Sequence, residues 1–229
     1  MRRYSFFIAL SGCILCSSIF AAEPGTVSEA EGKALVENFV LNIRTLKGRF
    51  EQSLVDADNQ VVETSSGTLE IQRPGQFRWS YVEPYEQVLV AAGLNVWSYD
   101  VDLAQVTVKP QKEVLRNTPA LLLSGSEDSL DQFEYVGSFS DRGTVWIRLR
   151  PKDTDSGFSK VELGFTDGNL SRMMFSDNLE QTTLIALFDV SLNEDIDAER
   201  FQFEPPGDVD IVGTPVKVSE SDTDDAAES

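Results

Sequence analysis

The sequence predicts a mainly β chain: an antiparallel meander of short strands with a few short helices. Three observations carry that class. Apolar and polar residues alternate in short runs from Phe50 onward, the period of a half-buried strand. Tight-turn residues stand between the runs, at Pro74-Gly75, Gly93 and Asp167-Gly168, and leave no room for the crossover helices of a parallel sheet. Finally, 229 residues of which 41% are hydrophobic can bury one sizeable core without a second domain.

The stretch Gly67 to Tyr81 organises the rest. Leu69 and Ile71 precede the Pro-Gly turn, and Phe77, Trp79 and Tyr81 follow it. A two-residue Pro74-Gly75 loop would set Ile71 opposite Arg78 and split the apolar rows between faces. A three-residue loop, Pro74-Gly75-Gln76, keeps one apolar face and pairs Arg73 with Phe77, Ile71 with Trp79 and Leu69 with Tyr81. Arg73 shares the parity of Leu69 and Ile71, so it points to the apolar side. An unpaired charge there is costly. Two readings stay open: the side chain snorkels to the sheet rim, or it donates to backbone carbonyls of whatever covers the sheet.

From the start of the chain, a basic Met-Arg-Arg, an apolar run from Phe6 to Phe20 and Ala21-Ala22 predict a secretory signal peptide over residues 1–22. Leu10-Ser11-Gly12-Cys13 offers a rival, a lipobox that would lipidate Cys13, but its apolar core would be short. Both cysteines, Cys13 and Cys16, lie in this leader, so a chain cut near Ala22 has no thiols and no disulfide framework. Residues 23–212 are expected to form one domain and 213–229 an acidic, disordered tail.

Ser28-Glu29-Ala30-Glu31 supplies a capping box for a helix with apolar residues at Leu35, Phe39, Ile43 and Leu46 and a stop at Gly48. Its stripe is expected to pack on the face carrying Trp79. Strands follow near Phe50 to Leu54, after Val61, over Gln87 to Ala91, Val96 to Asp100 and Gln105 to Lys109. Thr118, Pro119 and Gly125 bound a short apolar helix containing Leu121, Leu122 and Leu123. Four more strands contain Val145 to Leu149, Val161 to Phe165, Leu170 to Phe175 and Leu184 to Val190. A helical turn is expected over Asp197 to Phe201 and a brief edge strand over Phe201 to Pro205.

The net charge of −19 repels phosphate backbones, so nucleic acid is not an expected partner. The chain has no histidine, which removes Ser-His and Cys-His nucleophile systems and histidine metal sites. No phosphate-cradling glycine loop, carboxylate pair beside an apolar cleft or calcium-loop spacing is present, so the chain reads as a non-enzyme without metal or cofactor.

Arg73-Pro74-Gly75-x-Phe77-Arg78-Trp79, Pro84, Gly93-x-x-x-Trp97-x-Tyr99-Asp100, Leu103-x-Gln105-Val106-Thr107-Val108 and Asn117-Thr118-Pro119 resemble the periplasmic outer-membrane lipoprotein carrier protein family, LolA. The resemblance runs from about Leu35 to about Ile211. It implies an unclosed antiparallel β half-barrel of roughly ten strands, covered by a lid of short α-helices around a hydrophobic cavity. It implies a monomeric periplasmic carrier that takes acylated lipoproteins from an inner-membrane lipoprotein-releasing ABC transporter to an outer-membrane lipoprotein receptor. In this reading Phe50, Leu69, Ile71, Phe77, Trp79, Tyr81 and Trp97 line the cavity. Leu35, Phe39, Pro119, Leu121, Leu122 and Leu123 belong to the lid, and Arg73 is its latch. Alternation alone does not separate a filled barrel from a pocket. A membrane-anchored receptor of similar fold lipidated at Cys13, and a general hydrophobic-ligand binder, remain as alternatives.

Overall fold

The alternating runs pair edge to edge into one sheet because each has an apolar row to bury and a neighbour one tight turn away. The structure is a computed structural model and describes residues 25–116, 122–123, 125, 127–153 and 155–217. The strands are β1 (Gly25–Thr26), β2 (Thr45–Val55), β3 (Val61–Gln72), β4 (Gln76–Glu83), β5 (Gln87–Ala92), β6 (Asn95–Asp100), β7 (Gln105–Pro110), β8 (Phe133–Asp141), β9 (Thr144–Pro151), β10 (Phe158–Thr166), β11 (Asn169–Asp177), β12 (Thr182–Leu192) and β13 (Asp210–Val212). The helices are α1 (Glu29–Asn42) and α2 (Gln111–Arg116), with 3-10 turns at Glu127–Gln132 and Ala198–Phe201.

Among the described residues the 13 strands form one sheet in the order β1-β8-β9-β10-β11-β12-β2-β3-β4-β5-β6-β7-β13. Every pairing is antiparallel except β13 on β7. β1 and β13 are its two edges, so the sheet stays open, as the predicted half-barrel requires.

The inner face carries the main core, in which Phe50, Leu69, Ile71, Phe77, Ile147, Leu163, Phe165 and Met173 are buried. Over it lies α1. Ser28 Oγ accepts from the Glu31 N–H at 3.2 Å, the predicted N-cap, and Gly32, Val36, Phe39 and Val40 are the buried positions.

Several expectations need correction. The helix ends at Asn42, and Leu46 and Gly48 belong to β2. The apolar spacing ran on across the helix end because Leu46 is itself a buried strand residue. α1 packs mainly against β8, β9 and the 127–132 turn, with Phe39 edge-on to Phe165 at 6.2 Å, and not chiefly on the Trp79 face. The hairpin loop lies one residue earlier than predicted, which moves each cross-strand partner by two. Gln72 pairs with Gln76, Ile71 with Phe77 and Leu69 with Trp79, so the loop is Arg73-Pro74-Gly75. Parity is unchanged by a slip of two, and the apolar face stands. Phe201 to Pro205 is not a strand; the edge strand is β13. β8 was not foreseen. The 1–22 leader, Cys13, Pro119, Leu121 and the tail beyond residue 217 lie outside the described residues.

The outer face of β5, β6 and β7 carries a second core, Val90, Val106 and Val108, beneath Phe201 of the C-terminal segment. Asn95 clamps that segment: its Nδ2 donates to Val216 O at 2.9 Å and its Oδ1 accepts from Val216 N at 2.8 Å. Gly213 passes so close to Val108 O, with φ at +101°, that a Cβ there would overlap it. Packing against the sheet therefore extends past the predicted domain boundary at 212.

Candidate functional site

Arg73 leaves the sheet at the first residue of the β3–β4 turn, where the strand parity aims it over the inner face. Its guanidinium gathers carbonyls from two covering segments. Nη1 donates to Phe39 O, to Val40 O at 3.0 Å and to Ile43 O at 2.9 Å, at the C-terminal end of α1. Nε donates to Leu123 O at 3.1 Å and Nη2 to Leu122 O at 3.2 Å. The last carbonyls of a helix have no intrahelical donor and carry its negative dipole end, so a guanidinium satisfies both the hydrogen-bond and the charge requirement. The cation also lies 4.5 Å from the centroid of the Phe39 ring.

Burial lowers the Arg73 pKa to about 10, which still leaves it charged at neutral pH. Gly125, at φ +67°, lies so close that a Cβ would overlap Arg73 Cδ. The glycine that looked like a helix stop is also the clearance for the arginine. On the far side of the turn, Gln111 of α2 donates through Nε2 to Gly75 O.

Of the predicted cavity residues, Phe50, Leu69, Ile71 and Phe77 are buried on the inner face, and Trp79 and Tyr81 are half-buried beside them. Phe50 meets Trp79 edge-on at 5.2 Å and Tyr81 at 5.1 Å, and Trp79 stacks on Tyr81 at 6.3 Å. Trp79 Nε1 is buried without an acceptor among the described residues. Burial pushes the Tyr81 phenol up to about 12, with Glu63 adding to the rise and the Gln52 hydrogen bond opposing it. Leu122 and Leu123 are buried against this core, as is Phe39, and Leu35 is partly buried.

Trp97 is misplaced by the sequence reading. It pairs with Val90 and Val108, which face outward, and its ring lies 5.7 Å from Phe203 of the C-terminal segment. Residues that the sequence reading missed include Val36 and Val40 of α1, and the carbonyl of Ile43. The helical spacing of Val36 and Val40 with Phe39 was the available signal.

The chain as a whole has counterparts among known proteins. The model for "Outer membrane lipoprotein carrier protein LolA" matches residues 41–204. The chain belongs to the LolA family. It is 37% identical over 200 residues to the outer-membrane lipoprotein carrier protein of Dechloromonas aromatica, covering 87% of this chain and 96% of the relative. With that of Halorhodospira halophila it shares 40% identity over 176 residues, 77% of this chain and 83% of the relative. Among solved structures, an uncharacterized conserved protein from Thermus thermophilus superposes with a TM-score of 0.50 at 14% identity, covering 81% of this chain and 99% of that one. That likeness concerns the fold alone. LolA-family membership and the half-barrel agree with the sequence reading.

Proposed function

We propose that this protein is a periplasmic carrier that shields the acyl chains of lipoproteins on the way from an inner-membrane releasing transporter to an outer-membrane receptor. The signal peptide over residues 1–22 would export it. The observation that carries the reading is the Arg73 guanidinium, which ties two apolar covering segments to the sheet through their backbone carbonyls.

A long acyl chain resists crossing water by roughly 10 kcal/mol, at about 0.8 kcal/mol per buried methylene. The inner face with Phe50, Leu69, Ile71, Phe77, Trp79 and Tyr81 offers apolar surface to offset that cost. Acyl chains reach it by displacing Phe39, Leu122 and Leu123, and so by breaking the Arg73 bonds. Each bond from a charged donor stabilises by about 1.5 to 3 kcal/mol, so the closed form competes with cargo and keeps its retention moderate. Transfer without an energy source then requires only a receptor that holds the lipid more tightly. No catalytic chemistry enters.

The test is a transfer assay from loaded carrier to receptor-bearing membranes. Arg73→Leu removes the donors and keeps an apolar stem. It is expected to load but to deliver at least about tenfold more slowly, as the loss of even one charged hydrogen bond implies. Arg73→Lys should rescue poorly, because an ammonium lacks the planar fork that spans two segments. Delivery by Arg73→Leu at the wild-type rate contradicts the latch.

A further inference from the structure

The half-barrel has two unlike ends. At one, Arg73 gathers Phe39, Val40, Ile43, Leu122 and Leu123 around the β3–β4 turn. At the other lies an open cleft of about 430 Å³ at the ends of β2 to β6. Glu63, Glu83, Asp100 and Asp102 line it, no lysine or arginine does, and none of the four carboxylates is in an ion pair among the described residues. Tyr81 and Gln52 form its inner wall, so the cleft continues from the aromatic row of the inner face. Tyr85 and Leu103, 68% and 70% exposed, stand on its rim.

A second feature is independent of charge. Ser65 also lines the cleft, is only 8% exposed, and its Oγ has no hydrogen-bond partner among the described residues. A buried hydroxyl left unpaired is costly unless a ligand group meets it.

We infer that this cleft binds the cationic peptide segment that follows the acylated residue of the cargo, so that the carrier favours lipoproteins with lysine or arginine close behind their lipid. The inference rests on the carrier reading. Acyl chains lying along the inner face have the Arg73 end blocked by α1 and Leu122–Leu123, so the attached polypeptide leaves past Tyr81. There its ammonium or guanidinium groups meet Glu63, Glu83, Asp100 and Asp102, its backbone can hydrogen-bond the Ser65 hydroxyl, and Tyr85 and Leu103 flank its apolar side chains. Exposed ion pairs are individually weak, so the site adds selectivity without preventing release.

The experiment is a competition. Two tripalmitoylated cysteinyl-serine peptides, one ending in four lysines and one in four glutamates, are offered together in phosphatidylcholine vesicles. The soluble protein complex is separated and its lipopeptide ratio read by mass spectrometry. At low salt the lysine form is expected to load about tenfold over the glutamate form, what a few exposed ion pairs supply together, and the ratio should collapse in high salt. Glu63→Gln/Glu83→Gln/Asp100→Asn/Asp102→Asn should bring it near unity; Asn at position 100 can still accept from the Leu103 N–H. A triple variant sparing Asp100 should show most of the same loss and serves if the quadruple variant fails to fold. Glu31→Gln/Glu37→Gln/Glu180→Gln/Glu204→Gln changes net charge equally at exposed positions outside the cleft and should keep the preference. Equal loading by the wild type, or equal loss in the distant variant, overturns the inference and leaves the carrier reading standing. If neither lipopeptide enters a soluble complex, the carrier reading fails and the inference with it.

Discussion

The two faces of this sheet are both covered, but by different kinds of bond. On the outer face the C-terminal segment continues the sheet itself: β13 pairs with β7, Asn95 clamps Val216, and Arg200 donates twice to the buried Glu70 carboxylate, at 2.9 and 2.6 Å. On the inner face, among the described residues, α1 and Leu122–Leu123 are tied to the β3–β4 turn by the Arg73 side chain. Opening the outer cover means unzipping a ladder, whereas opening the inner one breaks the Arg73 bonds and lifts Phe39, Leu122 and Leu123 off the core. In the proposed cycle the outer cover stays part of the fold and the inner one opens.

The largest effect is expected at Phe201, whose side chain is buried under the outer cover. Phe201→Ala should cost about 3 to 5 kcal/mol of global stability, read by chemical denaturation. Trp79→Ala should cost less than that range because Trp79 is only half-buried, yet it should weaken retention of an acylated probe. If Trp79→Ala destabilises as much as Phe201→Ala and leaves probe binding per folded molecule unchanged, the inner face is plain core and the contrast between the covers is lost.

The smallest effect is in alkali and concerns Tyr81, where the inner row meets the acidic cleft. Its phenol ionises at about 12 in the folded chain and near 10 when unfolded. Between those values the unfolded state gives up its proton first, so stability should fall as pH rises from about 10 to about 12. Tyr81→Phe should flatten that slope. An unchanged slope would mean that the phenol is not buried as described.

Much of this was legible in the sequence, and the failures have physical causes. Parity placed Leu69, Ile71, Phe77 and Trp79 on one face correctly, but a slip of two residues leaves parity unchanged, so the pairing itself was missed. β8 escaped because its register shifts between Tyr135 and Gly137. Apolar residues before the bulge point inward, while Phe139 lies outward, stacked on Trp146 at 6.4 Å. Trp97 misled because both faces of β6 are covered, so a large aromatic no longer marks the inner side. β13 is three exposed residues whose partner lies about a hundred positions away, and no local pattern announces such a strand. The carbonyls that Arg73 collects could not be read from side-chain chemistry, since backbone acceptors are the same at every residue.

If the Arg73 bonds hold the inner cover, that cover opens separately from the outer one, and hydrogen exchange resolved along the chain reads this out. Comparing wild type with Arg73→Leu, amides of α1 should exchange at least about tenfold faster in the variant, as loss of charged hydrogen bonds implies, while those of β13 and residues 198–216 stay as protected as before. Equal acceleration of both covers, or of neither, would contradict the account.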